Sequence, residues 1–435
     1  MQERPHASIL GGSLSVGAAT ALRLAASFAI AIMVSRALGV EAKGQLALLQ
    51  QFPAIAALLL GLGLEAAHAY HVGRDGSDLA ATVSDSLAYT LTVSALGIPL
   101  TMLVMWLLVP ALDQVSTVSV VIAATTVPLL LLTALAGGVL TGLGRVPSQA
   151  LAQATAAAVS LSLIGTLAVL GRLTLESVLA ALAVALAVGA VGTTLATRVR
   201  SLPRPSVSRL RAELPYARRS YVQSVTGYLE MRQDVVLLGI LGSAAGVGVY
   251  SVGVSLAELL IYAPQALGAA LMARSLQEDA QSGADLTART TRLLTAFMLI
   301  TAGVLALIAR PLVLALFGTQ FAQAATVIAV LTPGIVAWGI ASQPAAYLAS
   351  HGRLFPRMST TTLLINFALN LALIPLLGPA GAAIATTVSY TVISGYVIWT
   401  YARETQTRLV DLLVMRVSDV RFAVAAARAL RHTSA

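Results

Sequence analysis

Residues 228–242 read Y-L-E-M-R-Q-D-V-V-L-L-G-I-L-G. The run has the composition of a helix that crosses a lipid bilayer, yet it carries Glu230, Arg232 and Asp234. Counted as a crossing helix, it is the seventh of twelve.

The rest of the chain sets that count. Of 435 residues, 57% are hydrophobic and 10% charged, with a mean hydropathy of +0.86. A soluble domain carries roughly 25% charged residues. The chain therefore reads as an all-α integral membrane protein. Apolar runs recur about every 30–35 residues, close to the ~20 residues a spanning helix needs plus a short connection. The spans fall at approximately 10–36, 44–72, 80–110, 115–141, 146–170, 174–198, 219–242, 246–272, 289–317, 321–350, 354–377 and 379–402, with ends uncertain by ~2–4 residues. Nothing outside them is long enough for a soluble enzymatic domain. The first apolar run has no separate short core and no A-x-A cleavage site, so it reads as a retained helix. Without cysteine, disulfides and thiolate-bound metals are excluded.

An even number of spans puts both termini on one side, and basic residues say which. The N-terminal segment, the even-numbered connections and the C-terminal tail hold most of the arginines, seven of them (Arg198, Arg200, Arg204, Arg209, Arg211, Arg218 and Arg219) in one connection. The odd-numbered connections hold only Arg36, Lys43 and Arg172. Both termini are thus expected in the cytoplasm. The arginine-rich connection divides the chain into an N-terminal six-helix lobe (1–200), a basic cytoplasmic linker (201–219) and a C-terminal six-helix lobe (220–402). Two halves of six on the same side suggest a parallel repeat about an axis along the membrane normal. A cytoplasmic tail (403–435) follows. In it Leu409, Leu413, Val417 and Val420 fall opposite Arg408, Asp411, Arg416 and Asp419, a pattern that suits the membrane interface.

A charge at mid-bilayer costs at least ~2.5–3.5 kcal/mol, so such residues face a bundle interior or a cavity. Here they are Arg23 in span 1, Glu65 and His68 in span 2, Asp85 in span 3, Glu230, Arg232 and Asp234 in span 7, and Glu258 in span 8. Glu230 and Asp234 share a helix face while Arg232 points away, because residues two apart do not meet. Arg232 needs a carboxylate on another helix or an anionic ligand. Arg23 has no carboxylate within a turn and favours a cavity. Glu65 and His68, three apart, can satisfy each other, with a proton relay as the alternative. Asp85 and Glu258 fit either a cavity or structural pairing. Asn366 and Asn370 share one face, as interhelical hydrogen-bonding amides do. There is no G-x-x-x-x-G-K-[ST] and no H-E-x-x-H, so neither ATP hydrolysis nor zinc proteolysis is indicated, and no catalytic, metal or cofactor residues are expected.

Several segments in order, V-S-R-A-L-G-V-E-A-K-G-Q-L-A-L (34–48), L-G-L-G-L-E-A-A-H-A-Y (60–70), R-Q-D-V-V-L-L-G (232–239), G-V-G-V-Y-S-V-G-V-S-L-A-E-L-L (246–260), L-F-G-T-Q-F-A-Q-A-A-T-V-I-A-V-L-T-P-G (316–334), A-S-H-G-R-L-F (349–355) and N-L-A-L-I-P-L-L-G-P-A-G (370–381), resemble the polysaccharide-exporter branch of the multidrug/oligosaccharidyl-lipid/polysaccharide flippase (MOP) superfamily, the O-antigen and exopolysaccharide flippases. The resemblance spans roughly residues 10–402. It implies two lobes around a central cavity, alternating access, and export across the plasma membrane of an oligosaccharide on a polyprenyl pyrophosphate. It also implies contact with membrane lipids and with a polysaccharide polymerase and other assembly proteins, and no nucleic acid partner. Arg23 and Arg232 would then engage the pyrophosphate, since guanidinium suits phosphate oxygens. Glu65, His68, Asp85, Glu230, Asp234 and Glu258 would shape the cavity or couple an ion. A cation-coupled small-molecule antiporter and a membrane polymerase or ligase are the alternatives. The first would want an acidic cavity, the second a long external loop.

Overall fold

A computed structural model describes residues 6–74, 78–262, 264–265, 280–351, 356–416 and 418–419, and every secondary-structure element among them is helical. Val417 and Val420 of the tail pattern, and residues 352–355, lie outside the described residues. Among the described residues, ten helices are long and apolar enough to cross a membrane. The chain is a multi-pass membrane protein. One of the ten, Ser15–Gly61, is 47 residues long and is bent at Gly39, whose φ of 82° and ψ of −177° lie outside the helical region. Only glycine enters that region without strain, so this stretch is two spans. Helix Val207–Leu241 is absent from the ten because its charges, Glu230, Arg232 and Asp234 among them, lower its hydropathy. Resolving the first and adding the second recovers twelve.

The chain divides into two compact units, residues 1–248 and 249–435. The first holds α1 (His6–Gly61), α2 (Leu64–Arg74), α3 (Leu79–Leu108), α4 (Thr117–Ala124), α5 (Val127–Gly142), α6 (Val146–Val169), α7 (Leu175–Ala196), α8 (Val207–Leu241) and the start of α9 (Ala244–Ala257). Helix starts follow local capping chemistry. Asp78 Oδ1 accepts from the amides of Ala80 and Ala81 at the head of α3, and Thr174 and Ser177 exchange side-chain to backbone bonds at the head of α7. Each such cap satisfies amides that have no partner inside the helix. Around them α1 packs on α6, α6 on α7, and α2 on α5.

Three sequence expectations need adjusting here. Span 2 is not continuous to residue 72. The helix breaks at Leu62–Gly63, both at positive φ, where a Cβ on Gly63 would lie 2.4 Å from the Ala217 carbonyl oxygen. The basic connection is extended only to Ser206; α8 begins at Val207 and contains Pro215. Lys43 is not in a connection, because the helix resumes at once after Gly39 and carries it inside.

Unit 2 holds the rest of α9, a 3₁₀ turn headed by Glu258 (Glu258–Ile261), α10 (Ala280–Phe317), α11 (Ala324–Ser350), α12 (Pro356–Leu377), α13 (Pro379–Thr405) and α14 (Leu409–Leu413). Tyr347, Leu348, Val397, Tyr401 and Leu412 form one buried cluster, so the tail is anchored by Leu412. Asn370 donates to Asn366, which donates to Thr386 on α13, as interhelical amides should. In both units large apolar side chains remain uncovered by protein, among them Leu96, Val169, Leu307 and Leu376. In water such a surface would be unfavourable, whereas lipid tails cover it at no cost.

Candidate functional site

The bend at Gly39 folds the two arms of α1 along one cavity of about 500 Å³ inside unit 1, closed by α5, α6 and α7. The first arm contributes Arg23 and Ser27, the second Lys43 and Gln50, and Gln153 and Ser160 come from α6. At 1.5 Å per residue, Arg23 lies about 24 Å of helix before the bend and Lys43 about 6 Å after it, so the two cations are spread along the cavity. Neither side chain has a hydrogen bond or ion pair among the described residues, and no Asp or Glu lines the wall. The floor is made of small residues, Ala156, Ala157, Ala185 and Gly189, which leave the space open. A cavity with two unmatched cations and several amide and hydroxyl groups is arranged to receive an anion that also bears hydroxyls.

Of the residues expected to share a cavity, Arg23 lines this one and the others do not. Arg232 lies on the stripe of α8 that faces α1. Four residues before it, Tyr228 accepts a hydrogen bond from Gln51 Nε2 at 2.9 Å, and seven after it, Gly239 packs on Leu48. Asp234 is buried, with its Oδ1 accepting from the Val235 amide at 3.0 Å, and Glu230 is half-buried on the same face. Glu258 belongs to unit 2.

Glu65, His68 and Asp85 gather where α8 begins. His68 is fully buried, with Nε2 3.1 Å from Oε2 of Glu213 on α8. His68 thus has a second acidic neighbour, 145 residues away in sequence, besides Glu65. Asp85 takes a two-pronged grip from Arg209, Nε to Oδ2 at 2.7 Å and Nη2 to Oδ1 at 2.9 Å, while the Ser206 amide donates to Oδ1 at 2.6 Å. Hydrogen bonding to Asp85 raises Arg209 above the ordinary guanidinium range. Ser84 donates to the Pro203 carbonyl, Tyr70 stacks on Tyr216 at 4.2 Å, and Tyr221 donates to the Leu59 carbonyl. Residues 209, 213 and 216 recur at helical spacing, so one stripe of α8 is laced to α2 and α3, and Tyr221 ties the same helix to the end of α1. Asp85 and His68 are taken up in this seam.

Sequence reasoning missed Lys43. The signal was present in L-G-V-E-A-K-G: with the turn made by Gly39 alone, a lysine four residues later is already a full turn into the next helix.

The fold is that of membrane transporters and flippases. Among solved structures it is similar to the lipid II flippase MurJ in an inward closed conformation (TM-score 0.74, 12% identity, covering 88% of this chain and 87% of that one). It is also similar to an inward-facing multidrug resistance MATE family transporter of the MOP superfamily (TM-score 0.72, 14% identity, 88% and 94%). A MOP superfamily transporter from Pyrococcus furiosus, described as having a binding pocket of reverse polarity, matches with a TM-score of 0.62 at 14% identity, covering 91% and 94%. No curated protein matches by sequence. Residues 33–326 match the family model for polysaccharide biosynthesis proteins, and the chain belongs to that family.

Proposed function

We propose that the chain is a flippase that moves a polyprenyl-pyrophosphate-linked oligosaccharide from the cytoplasmic to the outer leaflet of the plasma membrane, by alternating access, for polysaccharide assembly outside. The observation that carries this reading is the unit 1 cavity, with Arg23 and Lys43 unmatched and no carboxylate on its wall. A pyrophosphate supplies the missing anion, and the amide and hydroxyl groups suit a sugar. Membership of a polysaccharide biosynthesis family and the fold shared with a lipid II flippase support the same cargo class. A cation antiporter would need acidic groups where this wall has none. Arg232, on the α1-facing stripe of α8, acts in this reading as a second phosphate contact during transit. The arginine-rich connections support a cytoplasmic location for both termini, and the polymerase that consumes the flipped glycan is the expected functional partner.

The test is complementation of a flippase-deficient strain by Arg23→Ala, Lys43→Ala and Arg232→Ala. Surface polysaccharide should be lost for the first two at normal membrane levels of protein, with partial recovery for Arg23→Lys. Full export by both cavity variants would refute the phosphate role.

A further inference from the structure

A second cavity, of about 440 Å³, opens in unit 2 where α10 meets the segment that follows α13. Arg289 and Arg292 enter it from α10, and Thr407, Arg408, Asp411 and Arg416 from the tail. It is distinct from the cargo cavity, shares no residue with it, and does not depend on the flippase reading.

Two of its four arginines hold the tail in place. Arg292 is buried and grips Asp419 through Nε at 2.6 Å and Nη2 at 2.8 Å, while its Nη1 donates to the Asp411 carbonyl. Arg416 pairs with the Asp411 carboxylate, and its amide donates to Asp419. The hydrogen bond from Arg292 holds the Asp419 carboxyl below its ordinary range. With Asp411 and Asp419 committed in this way, Asp285 is the remaining acid on the wall, against Arg289 and Arg408. The Arg408 guanidinium has no hydrogen bond or ion pair among the described residues. The cavity is therefore a hydroxyl-bearing cup with a surplus positive charge and, among the described residues, one guanidinium unmatched.

Its rim is apolar on one side. Leu409, Val410, Val414 and Met415 are largely uncovered, and nearby Trp399 is exposed with Arg403 over its ring at 5.5 Å. Arginine forks beside exposed aliphatic and indole groups suit a group that is anionic at one end and greasy at the other. The Arg408 side of the protein is the arginine-rich one.

We propose that this cavity binds a phosphate group, carried by a phospholipid headgroup or present as free phosphate, with Arg408 and Arg289 as the contacts. The experiment uses the full-length protein in detergent with three probes: short-chain phosphatidylglycerol, the matching diacylglycerol without phosphate, and inorganic phosphate. Wild-type protein should bind phosphatidylglycerol saturably and ignore the diacylglycerol, with Arg408→Gln weakening binding about tenfold, the value of one charged hydrogen bond. Arg289→Gln should do the same, and Arg172→Gln, away from the cavity, should not. Binding of inorganic phosphate alone, with the same loss in Arg408→Gln, would support the site and assign it to free phosphate. Binding of neither probe, or equal binding by wild type and Arg408→Gln, would overturn the proposal.

Discussion

Unit 1 contains two groups of intramembrane charges that differ in how they are satisfied. In the seam where α8 docks on α2 and α3, Asp85 is held by Arg209 and the Ser206 amide, and His68 faces Glu213. In the cavity formed by the bent α1, Arg23 and Lys43 have no counter-charge among the described residues. Taking charge out of water costs free energy, and the two groups answer that cost differently. The seam meets it inside the protein, so its charges report assembly. The cavity leaves Arg23 and Lys43 without such a partner among the described residues, and in the proposed reading an anion arriving from outside fills that place.

The strongest way to break this comparison is to remove the unmatched pair. Arg23→Ala combined with Lys43→Ala should lower export at least about a hundredfold, since two charged hydrogen bonds are worth roughly 3–6 kcal/mol together. The melting temperature in detergent should not fall. A marked loss of thermal stability would mean that these cations are structural after all. The seam should respond in the opposite sense. Asp85→Ala should free the start of α8, seen as faster proteolysis within residues 199–206. The exchange Asp85→Arg with Arg209→Asp should slow cleavage again, because each charge regains a partner.

The comparison extends to the tail of unit 2, with smaller effects. Arg292→Ala leaves Asp419 buried without its partner and should destabilise by roughly 3 kcal/mol, read as a lower melting temperature. Smallest is a pH effect. The Asp419 carboxyl is depressed in the folded protein, so its stabilising contribution is complete above the unfolded carboxylate value of about 4 and is lost as pH falls through the folded value. Wild type and Asp419→Asn should differ in melting temperature at pH 6 and converge toward pH 3. A gap that persists at low pH would assign the difference to packing.

How much of this could be read beforehand depended on the range of the interaction. Spans were legible because twenty apolar residues in a row admit one solution in a bilayer. Even α8, with Glu230, Arg232 and Asp234, was placed correctly as a helix. Arg23 was legible as a cavity residue because no acid lay within a turn of it. The partners were not legible: Glu213 lies 145 residues from His68, and Arg209 lies 124 from Asp85. Helical geometry says which residues share a face and nothing about what that face meets. Lys43 was misplaced for a local reason, since a connection reduced to a single glycine leaves no loop for a lysine to occupy.

That single glycine also governs how the protein is made. Without the break at Gly39, the 47 residues of Ser15–Gly61 would form one rod of about 70 Å, more than twice the ~30 Å of hydrocarbon it must fit. With the break, the first two spans can enter the membrane together as a hairpin. A bulky residue at position 39 would therefore act during biogenesis, as a chain whose later segments face the wrong side and are cleared by quality control.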